Sequence, residues 1–170
     1  MKRIITFVIA CLLLFSLVSC SKKEPDPEVI FSRIGVNVDD GTIEVYTNSH
    51  GGFLGDGETY AKIVFSDDVF CNEIKNNAEW SKLPLTPTLN IVVYGGDRQN
   101  GASSKSFIRD ENDQPLIPNI SDGYYFFKDR HDNSKNEKDD TPILDRASVN
   151  FTLAIYDSES KTLYFYEIDT

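Results

Sequence analysis

The stretch "ASVNFTLAIYDSESKTLYFYEI", Ala147–Ile168, settles what kind of fold this chain adopts. In its first arm Val149, Phe151, Leu153 and Ile155 recur at every second position, and in its second arm Leu163 and Phe165 alternate with Tyr164 and Tyr166. A period of two puts successive side chains on opposite sides of an extended chain, so both arms read as strands. The polar "DSESK" between them reverses the direction, and the two arms form an antiparallel hairpin.

The same pattern recurs upstream. "GYYFFK", Gly123–Lys128, is a compact aromatic strand. "VIFSRIGVNVDDGTIEVYTN", Val29–Asn48, alternates on either side of the turn pair Asp40-Gly41 and predicts a second hairpin, with Ile34, Val36 and Val38 on one face. "TYAKIVFS", Thr59–Ser66, adds a strand with Ala61, Ile63 and Phe65 on one side. A helix is expected from Ser66 or Asp67 through "VFCNEIKNNAEW", where Phe70, Ile74 and Ala78 fall at four-residue spacing. Pro84 and Pro87 follow, and the near-continuous apolar run "LNIVVYGG" from Leu89 reads as a strand buried on both faces. Arg98–Asp122 is long and polar, with at most a small hairpin joining "KSFI" to "PLIP", and such a segment is either a functional surface or a mobile one. The expectation is a mainly β (β-rich α+β) fold, an antiparallel sheet or sandwich of about seven short strands with one short helix closing a face.

The first residues follow different rules. Lys2 and Arg3 precede an apolar run, Ile4–Val18, interrupted only by Thr6 and Ser16 and too short to span a bilayer. Its end, "LVSC" at Leu17–Cys20, resembles the lipobox of bacterial lipoproteins, in which small residues precede a cysteine that becomes lipid-modified. The resemblance implies that residues 1–19 are a signal peptide and that Cys20 is diacylated and becomes the mature N-terminus. Acyl chains contribute about 0.8 kcal/mol per buried methylene, so two of them hold a domain at a membrane. The resemblance also implies a place in the cell envelope, facing away from the cytoplasm, and Ser21 carries no inner-membrane retention aspartate. Residues 20–28, "CSKKEPDPE", read as the lipidated cysteine and an extended spacer, and 29–170 as a single β-rich domain.

Removing residues 1–19 takes away two basic residues and no acids, which leaves 15 basic against 27 acidic and a formal charge of −12. Such a field repels nucleic acid and anionic membrane surfaces and favours a cationic protein or another envelope ligand. Cys11 leaves with the leader and Cys20 carries lipid, so Cys71 remains alone and the domain is built without an intrachain disulfide. Eleven Phe, eight Tyr and the single Trp80 supply the apolar area instead.

No catalytic or cofactor signature is complete. His50 in "SHGGF" resembles the HGG-type oxyanion loop of lipases and esterases, but no G-x-S-x-G accompanies it. The glycine-rich "GGFLGDG" lacks the lysine of a phosphate loop. Two histidines, His50 and His131, without paired ligand spacing argue against zinc. "DRHDNSKNEKDD", Asp129–Asp140, has oxygens enough for calcium but no glycine at the sixth position. Cys71 sits on the apolar side of its helix, away from a base. No cofactor and no metal is expected.

The segment hardest to assign is "GYYFFKDRH". Tyr124 and Phe126 point one way and Tyr125 and Phe127 the other, so either the strand is buried on both sides or one aromatic face is exposed. On the second option Tyr124, Tyr125, Asp129, Arg130 and His131 form a partner-binding surface, because exposed aromatics and arginine are what interfaces use. The sequence thus predicts a membrane-tethered binding or interaction module. Its alternatives are an envelope hydrolase using the charged loop around His131, or an inhibitor or immunity-type lipoprotein against a secreted cationic protein. The anchoring expectation has a direct check. Cys20→Ser abolishes incorporation of labelled fatty acid and leaves the chain unprocessed or shed, and continued labelling of the Ser variant disproves lipidation at Cys20.

Overall fold

The computed structural model describes residues 25–51, 55–98 and 100–170. The signal-peptide and Cys20 assignments lie outside the described residues. The described residues form eight strands: β1 Thr42–Asn48, β2 Gly57–Val64, β3 Trp80–Lys82, β4 Gly96–Asp97, β5 Ser103–Ser104, β6 Gly123–Asp129, β7 Asn150–Asp157 and β8 Thr162–Asp169. Six of them form one sheet in the order β1-β2-β8-β7-β6-β3, with every neighbouring pair antiparallel, and β4 and β5 make a separate two-stranded ribbon. The mainly β, antiparallel architecture read from the sequence is the one observed.

β7 and β8 are the expected hairpin, paired in unbroken register from Asn150↔Asp169 to Asp157↔Thr162. The Asp157 carboxylate closes the turn by accepting from the Glu159 N–H at 3.0 Å and the Ser160 hydroxyl at 2.6 Å. Lying in the middle of the sheet, the two strands bury both of their faces. One face carries Ala154, Tyr156, Leu163 and Phe165, and the other Phe151, Leu153, Ile155, Tyr164 and Tyr166.

Each face has its own cover. Over the first lie helix α1, Pro27–Ile34, through Ile30 and Ile34, and helix α2, Val69–Lys75, through Phe70, Cys71 and Ile74. Phe70 stacks on Phe65 at 4.4 Å and meets Trp80 edge-on at 6.0 Å, while the Trp80 indole donates to the Ile34 carbonyl. Over the second face lie helix α3, Pro87–Tyr94, through Leu89, Val92 and Val93, and the irregular segment that brings in Ile108, Ile117 and Ile143.

Three elements differ from expectation, each for a local reason. The arm Val29–Val38 is not a strand: its first half is α1, begun by Asp26, whose carboxylate accepts from the Glu28 N–H, and by Pro27. The helix ends at Gly35 in the left-handed conformation, and it starts inside the stretch read as spacer. The run from Leu89 is likewise a helix, capped by the Thr86 hydroxyl on the Leu89 N–H at 3.1 Å, because a short apolar run fits a buried helix as well as a buried strand. The helix expected from Ser66 onward holds only over Val69–Lys75, and Trp80 opens strand β3 against β6. Among the described residues there are therefore three short α-helices rather than one. The small hairpin joining "KSFI" to "PLIP" is present as the Arg109↔Pro115 bridge.

Gly123 opens β6 with φ +156°, and a Cβ there would lie 1.9 Å from the Tyr156 carbonyl oxygen on β7. Neither backbone can retreat without breaking the central register. Gly123→Ala therefore costs about 2 kcal/mol or more, read as a lower denaturation midpoint, and an unchanged midpoint contradicts this account of β6.

Candidate functional site

The five residues proposed from "GYYFFKDRH" do not come together. Tyr124 and Tyr125 are half-buried, packed against the apolar clusters of opposite sheet faces. Asp129 is 1% exposed, its carboxylate bonded to Arg146 at 2.7 Å and to the His131 N–H at 3.1 Å. His131 in turn accepts the Asn133 N–H on its ring, as a turn stabiliser. The aromatic strand is core on both sides, and the charged loop after it is organised by its own acids.

Arg130 belongs to a different constellation, at the end of the sheet face covered by α1. Its guanidinium meets Asp169 at 2.8 Å and Glu167 at 3.5 Å, and its Nε donates to the Thr152 hydroxyl at 3.0 Å. Arg33 on α1 meets Glu167 from above at 2.8 Å. His50 lies between the Asp169 carboxylate and the Thr59 hydroxyl, 3.1 Å from each. Among the described residues, His50, Glu167 and Asp169 are the one group of three with metal-ligand atoms within 4.8 Å of one another. Their carboxylates already face two guanidinium groups, so a dication would have to displace Arg33 and Arg130. The order hydroxyl, imidazole, carboxylate also has the form of a nucleophile relay. Thr59 is only 7% exposed, however, and both Asp169 oxygens are committed to Arg130. The network closes the open end of the core.

The opposite face carries a groove, walled by the long segment after α3. Its wall hangs from tyrosine hydroxyls: Tyr60 donates to the Leu116 carbonyl at 3.3 Å, Tyr166 to Phe107 at 3.4 Å and Tyr94 to Pro118 at 2.9 Å. Burial pushes Tyr60 up to about 12 and raises Tyr166 and Tyr94 as well, so all three stay neutral donors. The buried Ser106 hydroxyl donates to the Val93 carbonyl at 2.6 Å and accepts the Ile108 N–H, pinning the wall to α3. Between wall and sheet lies a cavity of about 500 Å³, bordered by Arg98, Lys105, Phe107, Arg109, Glu58 and Ile168. It shares Glu58 and Arg109 with a neighbour of about 450 Å³ along Tyr60 and Tyr166, and Arg98 with one of about 270 Å³ at the start of α3. The long polar segment is a fixed wall and not a loose loop. No single sequence motif marks this groove, because its residues come from β2, β8 and the irregular segment.

The two arginines of the ion network separate by their energetics. Arg130→Ala leaves Glu167 and Asp169 with one guanidinium between them in a mostly buried place, and costs about 3 kcal/mol of stability. Arg33→Ala, at a side chain 41% exposed, costs under about 1 kcal/mol by chemical denaturation. Equal effects of the two variants contradict the assignment of Arg130 as the keystone. No protein-family model, curated protein or solved structure matches the chain, so geometry alone carries the functional reading.

Proposed function

We propose that this chain is a lipid-tethered binding module of the cell envelope, held by Cys20, with its ligand seated in the groove between the sheet and residues 98–117. The lipobox-like "LVSC" supports the tether. Among the described residues no helix is long and apolar enough to cross a membrane. On this reading the acyl chains on Cys20 supply the attachment. The observation that carries the binding role is the run of three adjoining cavities under a wall pinned by Tyr60, Tyr94 and Tyr166. A preformed concave surface loses little on binding, since its side chains are already ordered. The three cavities share lining residues and so run on from one another, which suits an extended polar ligand better than a compact one.

The test is photo-crosslinking in the intact envelope, with the reactive residue at Phe107 in the groove and, separately, at Tyr124 or His131. A specific adduct at position 107 that is absent at positions 124 and 131 is the expected result. Adducts confined to positions 124 and 131 place the contact on the aromatic strand instead and overturn the groove.

A further inference from the structure

We infer that the middle of the groove is a seat for a negatively charged group, and that the ligand is an anionic glycan; this rests on the groove being the binding site. The mature chain carries a formal charge of −12, yet Arg98, Lys105 and Arg109 all border the central cavity. Their carboxylate partners are few and exposed, although Asp113 is close, 2.5 Å from Lys105 and 3.1 Å from Arg109, and Glu58 borders the same cavity. Lys105 and Arg109 divide one acid, Asp113, which is half-exposed, and Arg98 approaches Asp145 only to 3.6 Å, with the Asp145 side chain 79% exposed. Exposed pairs of this kind contribute little and exchange readily for a better-placed anion.

Neutral atoms also hold each guanidinium group. Arg98 donates from Nε to the Ser104 hydroxyl and from Nη1 to the Leu144 carbonyl, while Arg109 donates to the Ser106 carbonyl. Neutral acceptors fix direction without cancelling charge, so both cations are aimed before a ligand arrives. Hydroxyl and amide side chains continue on either side: Thr88, Asn100 and Thr141 in one flanking cavity, Thr47 and Asn112 in the other. Phe107 adds a partly exposed ring, a surface on which the apolar face of a sugar packs.

The alternatives fit less well. A peptide added as a strand needs an open sheet edge, and the groove runs across the face near β2 and β8, both interior strands. Nucleic acid brings a charge at every residue against a rim that holds Asp110, Glu111 and Glu58. A glycan with sparse anionic groups meets the three cations at one point and hydroxyl partners elsewhere.

The full chain is titrated by calorimetry with trigalacturonate, with a glycerol-phosphate trimer and with a neutral galactose trimer, and the binding surface is mapped by backbone chemical shifts. Carboxylate and phosphate share the inferred chemistry, and the tighter of the two acidic probes identifies the source. At least one acidic probe binds about tenfold tighter than the neutral one, and Arg98→Gln, Arg109→Gln and the exposed Lys105→Gln each weaken it severalfold, whereas Lys75→Gln on α2, over the opposite face of the sheet, changes nothing. Thermal melts confirm that each variant is folded, and Lys105→Gln, at a side chain 71% exposed, is the one least able to disturb the fold. Equal binding of neutral and acidic trimers, with shifts in the groove, overturns the anionic seat and leaves the groove standing. Failure of both acidic probes at millimolar concentration, while position 107 still crosslinks in the envelope, overturns the seat as well. Binding that maps outside the groove and survives the triple Gln variant overturns both.

Discussion

Everything in this fold depends on the pairing of β7 with β8 at the centre of the sheet. Both strands are apolar on both sides, so neither can lie at an edge or face water. Two separate covers must therefore be found, and the chain supplies them in succession: α1 and α2 over one face, α3 and the segment after it over the other. Burying two faces of a six-stranded sheet is also what allows a domain with Cys71 as the free, buried thiol among its described residues to dispense with a crosslink. The second cover is the interesting one. Being mostly irregular, it leaves clefts along its margin, and those clefts are the groove.

How far the sequence discloses this depends on how local each signal is. Period-two alternation in Ala147–Ile168 and in Gly123–Lys128 is a backbone property, and it reads correctly into β6, β7 and β8. Phe70, Cys71 and Ile74 read correctly as the buried side of α2. Ile34, Val36 and Val38 mislead because three apolar residues at alternate positions also arise where a helix ends and an extended tail follows it into the same core. The cue that decides is at the other end, where Asp26-Pro27-Glu28 is a helix start. The run from Leu89 carries no period at all, and only Thr86 before Pro87 marks it as helical.

The site was less legible, and for a different reason. Arg130 reads in the sequence as a partner-binding residue, whereas its contacts are internal: Glu167 and Asp169 are 37 and 39 residues farther on and Arg33 is far upstream, so their convergence is a product of strand order. The same holds for Glu58 and Arg109, joined only because β2 lies beside β8 and the wall segment folds back over both. What the sequence did disclose is that residues 98–122 needed an explanation. Tyr60, Tyr94 and Tyr166, which read as core aromatics, supply it: their rings belong to the core, and their hydroxyls hold the wall.

The position of β8 has a consequence for the order in which the molecule is assembled. β8 is the last strand made, yet it joins two otherwise separate halves, β1-β2 on one side and β7-β6-β3 on the other. Until Thr162–Asp169 is in place, neither half has a partner for its inner edge, and neither apolar layer is continuous. The sheet cannot close piecemeal from the N-terminus as a chain of local hairpins does. The native sheet therefore becomes available only when Thr162–Asp169 is in place, whatever the order in which the other strands pair.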